Sequence, residues 1–276
     1  MAAREIDAEP GTVYLVGSGP GDPDLLTVKA RELLESADVV LHDKLPGPEI
    51  IDMLPEDRRE DVGKRAGGER TPQSAINERL VELAREGKSV VRLKGGDSFV
   101  FGRGGEEAEY LAAHEVPFEV VPAVTSAIAA PAVAGIPVTH RDHASSVSLV
   151  TGHEDPTKAE SAVDWAALAA TGGTIVVLMG VGRLPDYTEA LREAGMAPET
   201  PVALVERGTW PGQRVATGTL ETIVDVRDEK GIEPPAVTVI GDVAGTREAV
   251  VDFLRTDDGA AAESEVESGD DSEEGA

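Results

Sequence analysis

The hydrophobic positions of the chain fall into short β-branched runs that alternate with longer amphipathic stretches. The first three predicted elements are a strand at 12–16, a helix at 22–37 and a strand at 39–41. This alternation is typical of βαβ units and predicts an α/β fold with a mainly parallel sheet. Further strands are predicted at 89–93, 118–121, 147–150, 174–179, 202–205 and 236–240.

Two predicted helices have clear end signals. Asp22 can cap the first helix, where Pro23 stands at the first helical position. The second is predicted at 71–87 and ends at a glycine. The stretch 122–137, rich in small residues and proline, predicts a helix and a crossover that join two α/β halves.

Polar, glycine-rich motifs follow the carboxyl ends of the predicted strands in both halves. Ligands of open α/β sheets bind at that edge. Glycines also simply end strands, which explains any single loop better than it explains the whole set. The set therefore predicts a ligand cleft between two sheets. The motifs are GSGPGD (17–22), HDK (42–44), KGGDS (94–98), TS (125–126), TGH (151–153), MGVG (179–182) and RGT (207–209).

The chain of 276 residues is strongly acidic, with 52 acids, 25 bases and a formal charge of −27. Nine of the acids lie in the last 20 residues, and seven of the bases are lysines. We expect a surface adapted to concentrated salt, where the screening length falls to about 3 Å. The excess of acid also argues against a nucleic-acid partner, which requires a broad basic face.

Several kinds of site are excluded by residues that the chain lacks. It contains no cysteine, which excludes disulfides, thiolate metal sites and cysteine nucleophiles. The five histidines have no metal-ligand spacing, and no G-x-S-x-G elbow occurs, so no metal is predicted. No secretory pattern and no run of about 18 apolar residues is found, so we expect a cytoplasmic protein without a membrane partner.

The segment 88–103 reverses the sign of the overall charge. Such a local inversion in an acidic protein predicts an anion site. Glu106 follows at the predicted start of a helix, where a carboxylate complements the helix dipole, and its position alone leaves that role and a catalytic one open. The bases of the segment are Lys88, Arg92, Lys94 and Arg103, and its acid is Asp97.

The motifs, taken in order, resemble the tetrapyrrole methylases, a family of S-adenosylmethionine-dependent enzymes. The resemblance covers residues 12 to about 251 and is strongest to the members that act on uroporphyrinogen III. The matching strings are VGSGPGDPDLLTVKA (16–30), DKL (43–45), VGKRAG (62–67), VVRLKGGDSFVFGRGGEE (90–107), VTSAIAAPAVAGIPVTHR (124–141), TGH (151–153) and LMG (178–180).

The resemblance implies both an activity and an architecture. The activity is methylation of uroporphyrinogen III at C2 and then C7, which gives precorrin-2 for siroheme- or cobalamin-type tetrapyrroles and converts S-adenosyl-L-methionine to S-adenosyl-L-homocysteine. The architecture is a homodimer of chains with two α/β domains of the tetrapyrrole methylase type, with the active site in the cleft between them. The domains would be 11–122 and 123–255, preceded by an extension (1–10) and followed by a disordered acidic tail (256–276).

The same resemblance assigns roles to particular residues. The eight carboxylates of uroporphyrinogen explain why an acidic protein should keep a cationic cleft. Whether Asp43 or Glu106 removes the proton stays open. The catalytic positions would be Asp43, Lys64, Arg103 and Glu106, and the substrate-binding positions Lys44, Arg141 and His153. The cofactor-binding positions would be Pro20, Gly95, Gly96, Asp97, Val100, Thr125, Ser126, Met179, Gly208 and Ala236.

Alternative functions remain at this point. Within the superfamily they are methylation of a later corrin intermediate or of the diphthamide precursor, and the GRGGEE and THR strings favour uroporphyrinogen over both. From other classes they are a non-catalytic tetrapyrrole carrier and an NAD(P)-binding oxidoreductase. The oxidoreductase would use GSGPGD, although Asp22 stands where the dinucleotide fingerprint has a glycine.

Overall fold

The computed structural model, which describes residues 6–63, 71–153 and 163–255, contains two five-stranded sheets. The strands of the first sheet are β1 (Val13–Gly17), β2 (Val39–His42), β3 (Arg59–Asp61), β4 (Val90–Lys94) and β5 (Phe118–Val121). Their order is β3-β2-β4-β1-β5, and all four pairings are parallel. All four β–loop junctions that carry predicted motifs in this half therefore lie at one edge.

Helices cover both faces of the first sheet. Tyr14 and Val16 of β1 point into one apolar core, while Val13 and Leu15 point into the other. Burial on both faces explains why these strands read as continuous hydrophobic runs. The helices are α1 (Val28–Ser36) and α2 (Pro48–Asp52) on the first face, and α3 (Gln73–Arg85) and α4 (Gly104–Ala113) on the second.

The second sheet is mixed, so the prediction of a mainly parallel sheet is right for the first half and wrong for the second. Its strands are β6 (Val147–Thr151), β7 (Thr174–Leu178), β8 (Pro201–Glu206), β9 (Arg214–Thr219) and β10 (Ala236–Ile240). In the order β6-β7-β10-β8-β9, the β6-β7 pair is parallel and the other pairs are antiparallel. The carboxyl ends of β6, β7 and β8 still share one edge, and β10 begins at that edge with Ala236.

Four more helices pack on the second sheet. The first of them follows β5 directly, and its residues Ala127 and Ala130 join the core of the second sheet with Val176 and Val239. The residues that follow β5 thus belong to the core of the second sheet. The domain limits 11–122 and 123–255 stay predictions. The helices are α5 (Ser126–Val133), α6 (Trp165–Thr171), α7 (Leu184–Glu193) and α8 (Ile223–Lys230).

The predicted helix at 22–37 is wrong as a continuous element. Asp22 caps only a 3-10 turn, Pro23–Leu25, by accepting a hydrogen bond from the Asp24 amide. Leu26 is extended, and α1 starts anew after Thr27, whose side chain accepts from the Ala30 amide. The polar edge strands β3 and β9 are absent from the prediction because they lack a buried hydrophobic run.

Among the described residues, none of the helices has the length and the apolar character that a membrane span requires.

Candidate active site

Backbone contacts join the loops that follow the strands of the first sheet. Gly19 and Gly96 exchange hydrogen bonds, with N···O distances of 3.2 Å from Gly19 and 2.7 Å from Gly96. Gly96 has a φ of +67°, and its Cα side lies against Thr125 and Ser126 at the start of α5. Four predicted cofactor positions, Gly95, Gly96, Thr125 and Ser126, are therefore neighbours in space.

Gly17 allows this close approach. A Cβ at this position would lie 2.6 Å from the Gly96 carbonyl oxygen and 2.7 Å from Ala123 Cβ. We expect Gly17→Ala to destabilise the fold by about 1 to 3 kcal/mol through overpacking and to weaken cofactor binding, because backbone must move. Gly105→Ala is the matched control, since its Cβ would meet nothing within 4 Å. Calorimetric binding and denaturant unfolding measure both effects, and equal behaviour of the two variants would contradict the expectation.

The Asp97 side chain braces these loops. Its Oδ1 accepts a hydrogen bond from the Phe99 amide and its Oδ2 accepts one from the Ala123 amide, each at 2.9 Å. The carboxylate thus ties the loop after β4 to the loop after β5. Val100, a few residues on, is half-buried, and its amide donates to the Asp97 carbonyl.

The loops of the second sheet pack equally closely at their shared edge. The Gly152 amide donates to the Leu178 carbonyl at 2.8 Å, and a Cβ on Gly152 would lie 2.5 Å from Gly180 Cα. Gly208 lies directly against Ala130 of α5, so the loop after β8 contacts the helix that begins with the TS motif. Ala236 pairs with Glu206 at the start of β10. The predicted cofactor positions of this half therefore share one edge.

Backbone strain is concentrated in the same loops. Among the described residues, six that are not glycine have a positive φ, and five of them lie in loops that follow β4, β7 and β8. Such conformations cost about 1 to 3 kcal/mol each and persist where the surroundings hold them, often at functional sites. The five are Phe101, Arg103, Met179, Arg207 and Thr209, and the sixth is Glu115.

Exposed apolar side chains mark the same edges. Of the 11 large hydrophobic residues exposed in the described part, six follow the strand ends that carry the predicted motifs. Apolar side chains exposed in motif-bearing loops are typical of a surface that binds a ligand or a partner. The six are Leu45, Phe99, Phe101, Val124, Ile128 and Met179.

A buried charge cluster lies beneath the loop after β4. The carboxylate of Glu107 is fully buried, and its Oε1 accepts from Arg92 Nε at 3.1 Å and from Lys94 Nζ at 2.9 Å. Gln73 Nε2 donates to the same oxygen at 2.9 Å, while the buried Oε2 has no hydrogen-bond partner among the described residues. Burial, together with the neighbouring Arg92 charge, lowers the pKa of Lys94.

This cluster corrects the predicted anion site. Arg92 and Lys94 do not face a ligand, because both are buried and paired with Glu107. Their sequence positions gave no sign of this, since Glu107 is 13 and 15 residues further along the chain. Of the bases in that segment, Arg103 remains exposed at the site.

Asp43 stands at the rim of the cluster, directly after β2. Its Oδ1 accepts from the Leu45 amide at 2.9 Å, and its Oδ2 lies 3.6 Å from Arg92 Nη2. The side chain is 27% exposed, so one side of the carboxylate is open to the edge of the sheet. Arg92 also donates to the carbonyls of Leu41 and Leu93, which fixes the guanidinium.

Glu106 has a different environment. Both of its oxygens accept from Arg103, at 3.0 Å from Nε and 2.6 Å from Nη2, and both side chains are about half exposed. The hydrogen bonds from Arg103 lower the pKa of Glu106, and those to Glu106 raise the pKa of Arg103. The two candidate bases thus differ in their partners: Glu106 accepts hydrogen bonds from Arg103 through both oxygens, whereas Asp43 accepts one backbone hydrogen bond and lies 3.6 Å from Arg92.

The remaining predicted residues are less closely connected. Lys44 and His153 are exposed and follow the carboxyl ends of β2 and β6, at the two ligand edges. Arg141 is exposed in a turn closed by backbone bonds between His140 and Ala144, ahead of β6, so the topology does not by itself bring it to the edge. Lys64 lies outside the described residues.

One contact between the two halves was missed by sequence reasoning. Trp210, in the loop after β8, donates its indole N–H to the carbonyl of Pro20 in the GSGPGD loop at 2.8 Å. The available signal was a tryptophan in a chain that has two, placed next to the RGT motif. The GSGPGD loop itself argues against dinucleotide binding. A pyrophosphate binds at a helix N-terminus, and here the loop is followed by a 3-10 turn capped by Asp22.

Fold and site together define an α/β protein with two sheets, in which the predicted ligand loops follow strand ends at one edge of each sheet. The sequence model of the Tetrapyrrole (Corrin/Porphyrin) Methylases matches residues 12–224. The chain belongs to the tetrapyrrole methylase family.

Individual relatives agree with this assignment. The chain is 57% identical over 250 residues to an S-adenosyl-L-methionine-dependent uroporphyrinogen III methyltransferase of Methanosarcina barkeri, covering 88% of this chain and 98% of the relative. It is 49% identical to a siroheme synthase of Nitrosomonas europaea over 89% of this chain, and it spans about half (52%) of that relative. Among solved structures, it resembles the uroporphyrin-III C-methyltransferase from Thermus thermophilus complexed with S-adenyl homocysteine, with 41% identity, a TM-score of 0.72, and coverage of 85% and 99% of the two chains.

Proposed function

We propose that the chain transfers methyl groups from S-adenosyl-L-methionine to C2 and C7 of uroporphyrinogen III, giving precorrin-2 for siroheme- or cobalamin-type tetrapyrroles. The observation that carries the proposal is the 57% identity across almost the whole Methanosarcina barkeri methyltransferase. The arrangement of the loops is in keeping with it, because glycine-rich loops and exposed side chains from both sheets follow the strand ends.

The residues at the edges fit a sulfonium nucleoside. The glycine loops offer backbone carbonyls, and the six exposed apolar side chains offer surface for flat or aliphatic groups. Both Asp97 oxygens accept backbone hydrogen bonds, which orient the carboxylate at this edge. When bound, the cofactor supplies an electrophilic methyl group. The residues proposed to hold it are Pro20, Gly95, Gly96, Asp97, Val100, Thr125, Ser126, Met179, Gly208 and Ala236.

The main contribution of the chain is orientation. A pyrrole carbon is already nucleophilic, so alignment with the methyl group is the principal requirement, and good alignment corresponds to effective molarities of about 10⁵ to 10⁸ M. The braced loops after β1, β4 and β5 are suited to this role because their mutual backbone bonds limit their motion. Two strained residues of the loop after β4, Phe101 and Arg103, are consistent with a preorganised site.

Asp43 is the proposed base. After methyl transfer the macrocycle must lose a proton, and the Asp43 carboxylate, whose side chain is 27% exposed, can accept it. Leu45 and Arg92 hold the carboxylate in orientation. Glu106 is a weaker candidate because the Arg103 fork occupies both of its oxygens and lowers its pKa.

Exposed cations are proposed to bind the substrate carboxylates. Arg103 can form a bidentate pair with a carboxylate, as it does with Glu106, so binding of the substrate would exchange one carboxylate for another. Lys44 and His153 are exposed at the strand ends and can donate hydrogen bonds to carboxylates, and the exposed Arg141 keeps its substrate-binding role as a prediction. Lys64, a proposed acid–base residue, lies outside the described residues and keeps that role as a prediction.

An assay of the purified chain tests the proposed function. Incubation with S-adenosyl-L-methionine and enzymatically made uroporphyrinogen III at molar salt should give a dimethylated product, identified by mass and absorption spectrum. Omission of either reactant is the control. The absence of dimethylated product, with S-adenosyl-L-homocysteine still bound in calorimetry, would indicate a different methyl acceptor.

Three finer statements belong to the same proposal: the chain forms a homodimer, works in the cytoplasm and is adapted to high salt. The acidic excess and the few lysines support salt adaptation.

Salt should stabilise the fold by screening repulsion and weaken the attraction between substrate carboxylates and exposed cations. We therefore expect activity to reach its maximum at a lower salt concentration than thermal stability, and a parallel rise of both would contradict this. The proposed homodimer is tested by light scattering, which should give twice the mass of the chain.

A further inference from the structure

The loop at 207–213, which joins β8 to β9, connects the two lobes through two hydrogen bonds. Trp210 Nε1 donates to the Pro20 carbonyl at 2.8 Å, and the Asp22 amide donates to Thr209 Oγ1 at 3.2 Å. The partners are 190 and 187 residues apart in the chain. The loop thus contacts the GSGPGD loop on both sides of Gly21.

The indole of Trp210 fills a space that two glycines leave open. A Cβ on Gly21 would collide with indole Nε1, and a Cβ on Gly47 would lie 3.2 Å from the same atom. Gly47 directly precedes α2, in the loop that begins with Asp43 and Lys44. One side chain of the second lobe therefore packs against two ligand loops of the first.

The conformation of the loop is strained and held by its own hydrogen bonds. Arg207 has a φ of +49°, and Thr209, a β-branched residue, has a φ of +73°, which is unfavourable for that residue type. The Thr209 amide donates to Gln213 Oε1 at 2.8 Å, and the Trp210 amide donates to the Arg207 carbonyl at 2.8 Å. Strain of this kind persists where surrounding contacts determine the conformation.

We infer that Trp210 and Thr209 are positioning residues that fix the two halves of the cofactor site relative to each other. The inference rests on the proposed function, because Pro20 on one side and Gly208 on the other are proposed cofactor residues. Neither Trp210 nor Thr209 is among the residues proposed to touch the cofactor. Cofactor affinity should therefore depend on hydrogen bonds made away from it.

Two conservative variants test the inference. Trp210→Phe removes the indole donor and keeps an aromatic ring, while Thr209→Val removes the hydroxyl acceptor and keeps the β-branch. Each hydrogen bond should contribute about 5-fold to the affinity for S-adenosyl-L-homocysteine, measured by calorimetry. For Thr209→Val, whose hydroxyl bonds the GSGPGD loop, we also expect the KM for S-adenosyl-L-methionine to rise while the KM for the tetrapyrrole and kcat stay nearly constant.

The second tryptophan supplies the control. Trp165 is buried in the core of the second lobe and stacks on Tyr187 with a centroid distance of 5.2 Å. Trp165→Phe should lower the Tm and leave the affinity for S-adenosyl-L-homocysteine unchanged, because the core cluster of described residues around this ring lies in the second lobe. In that variant Trp210 is the remaining tryptophan, and its emission should shift when S-adenosyl-L-homocysteine binds.

The outcomes separate the two proposals. If the unaltered chain does not bind S-adenosyl-L-homocysteine, the proposed function fails. If it binds and both Trp210→Phe and Thr209→Val retain its affinity, the positioning role is wrong. Should Trp210→Phe lose its fold, as judged by circular dichroism, Thr209→Val alone decides.

Discussion

Asp43→Asn should lower kcat by about 100- to 10,000-fold, the usual contribution of a positioned acid or base. Asparagine keeps an oxygen that can accept from the Leu45 amide, and Arg92 keeps Glu107 and two backbone carbonyls as partners. The fold should therefore survive while the proton acceptor is lost. Product formation at saturating substrates measures kcat, and calorimetry should show unchanged binding of S-adenosyl-L-homocysteine.

Glu106→Gln is the matched control for this variant. Glu106 is the other candidate for the base, but its side chain is about half exposed and accepts hydrogen bonds from Arg103 through both oxygens. We expect a small change in kcat and a change in the KM for the tetrapyrrole, because Arg103 loses its internal partner. A loss in Glu106→Gln equal to or larger than that in Asp43→Asn would transfer the role of base to Glu106.

The second large effect is expected for Glu107→Gln, which removes the negative charge between Arg92 and Lys94. Two buried cations would then lack their main counter-charge, and breaking a buried pair in this way costs about 3 to 5 kcal/mol. The free energy of unfolding from denaturant titration measures this loss. Glu106→Gln serves again as control, since an exposed pair contributes at most about 1 kcal/mol.

The pH dependence of this loss follows from Lys94. Burial lowers its pKa in the folded chain, so over the window between that pKa and its ordinary value the unfolded chain binds more protons, and stability rises with pH. Glu107 opposes this shift, so its removal lowers the pKa of Lys94 further. The deficit of Glu107→Gln should thus be largest near neutral pH and shrink toward pH ~10. Lys94→Met in the same chain should recover part of the loss, and a deficit independent of both pH and Lys94 would contradict this explanation.

The strands that carry the fold were predictable because burial on two faces leaves continuous apolar runs, as in β1 and β8. Edge strands were not, since β3 is three charged residues long and β9 is partly exposed. The helix at 22–37 was predicted as one element because apolar spacing continues through Leu26, whose extended backbone the pattern does not reveal.

The candidate site was predictable as a set of loops and less so as a set of contacts. Glycine motifs after strands located the edge, because strand direction decides where loops meet. The pairing of Lys94 with Glu107 depends on how α4 packs against β4, which spacing does not encode. The Trp210 contact joins residues 190 positions apart and required the arrangement of two sheets.

The hairpin of β8 and β9 has a consequence for how the molecule folds. Its strands pair in register through a seven-residue connection, so its contacts are local, and hairpins form in about 1 to 10 μs. The β1-β4 pairing must close a loop of more than 70 residues, which makes it entropically slower. The hairpin that carries Trp210 can therefore pair before β1 and β4 do, and the indole gains its Pro20 partner when the first lobe assembles.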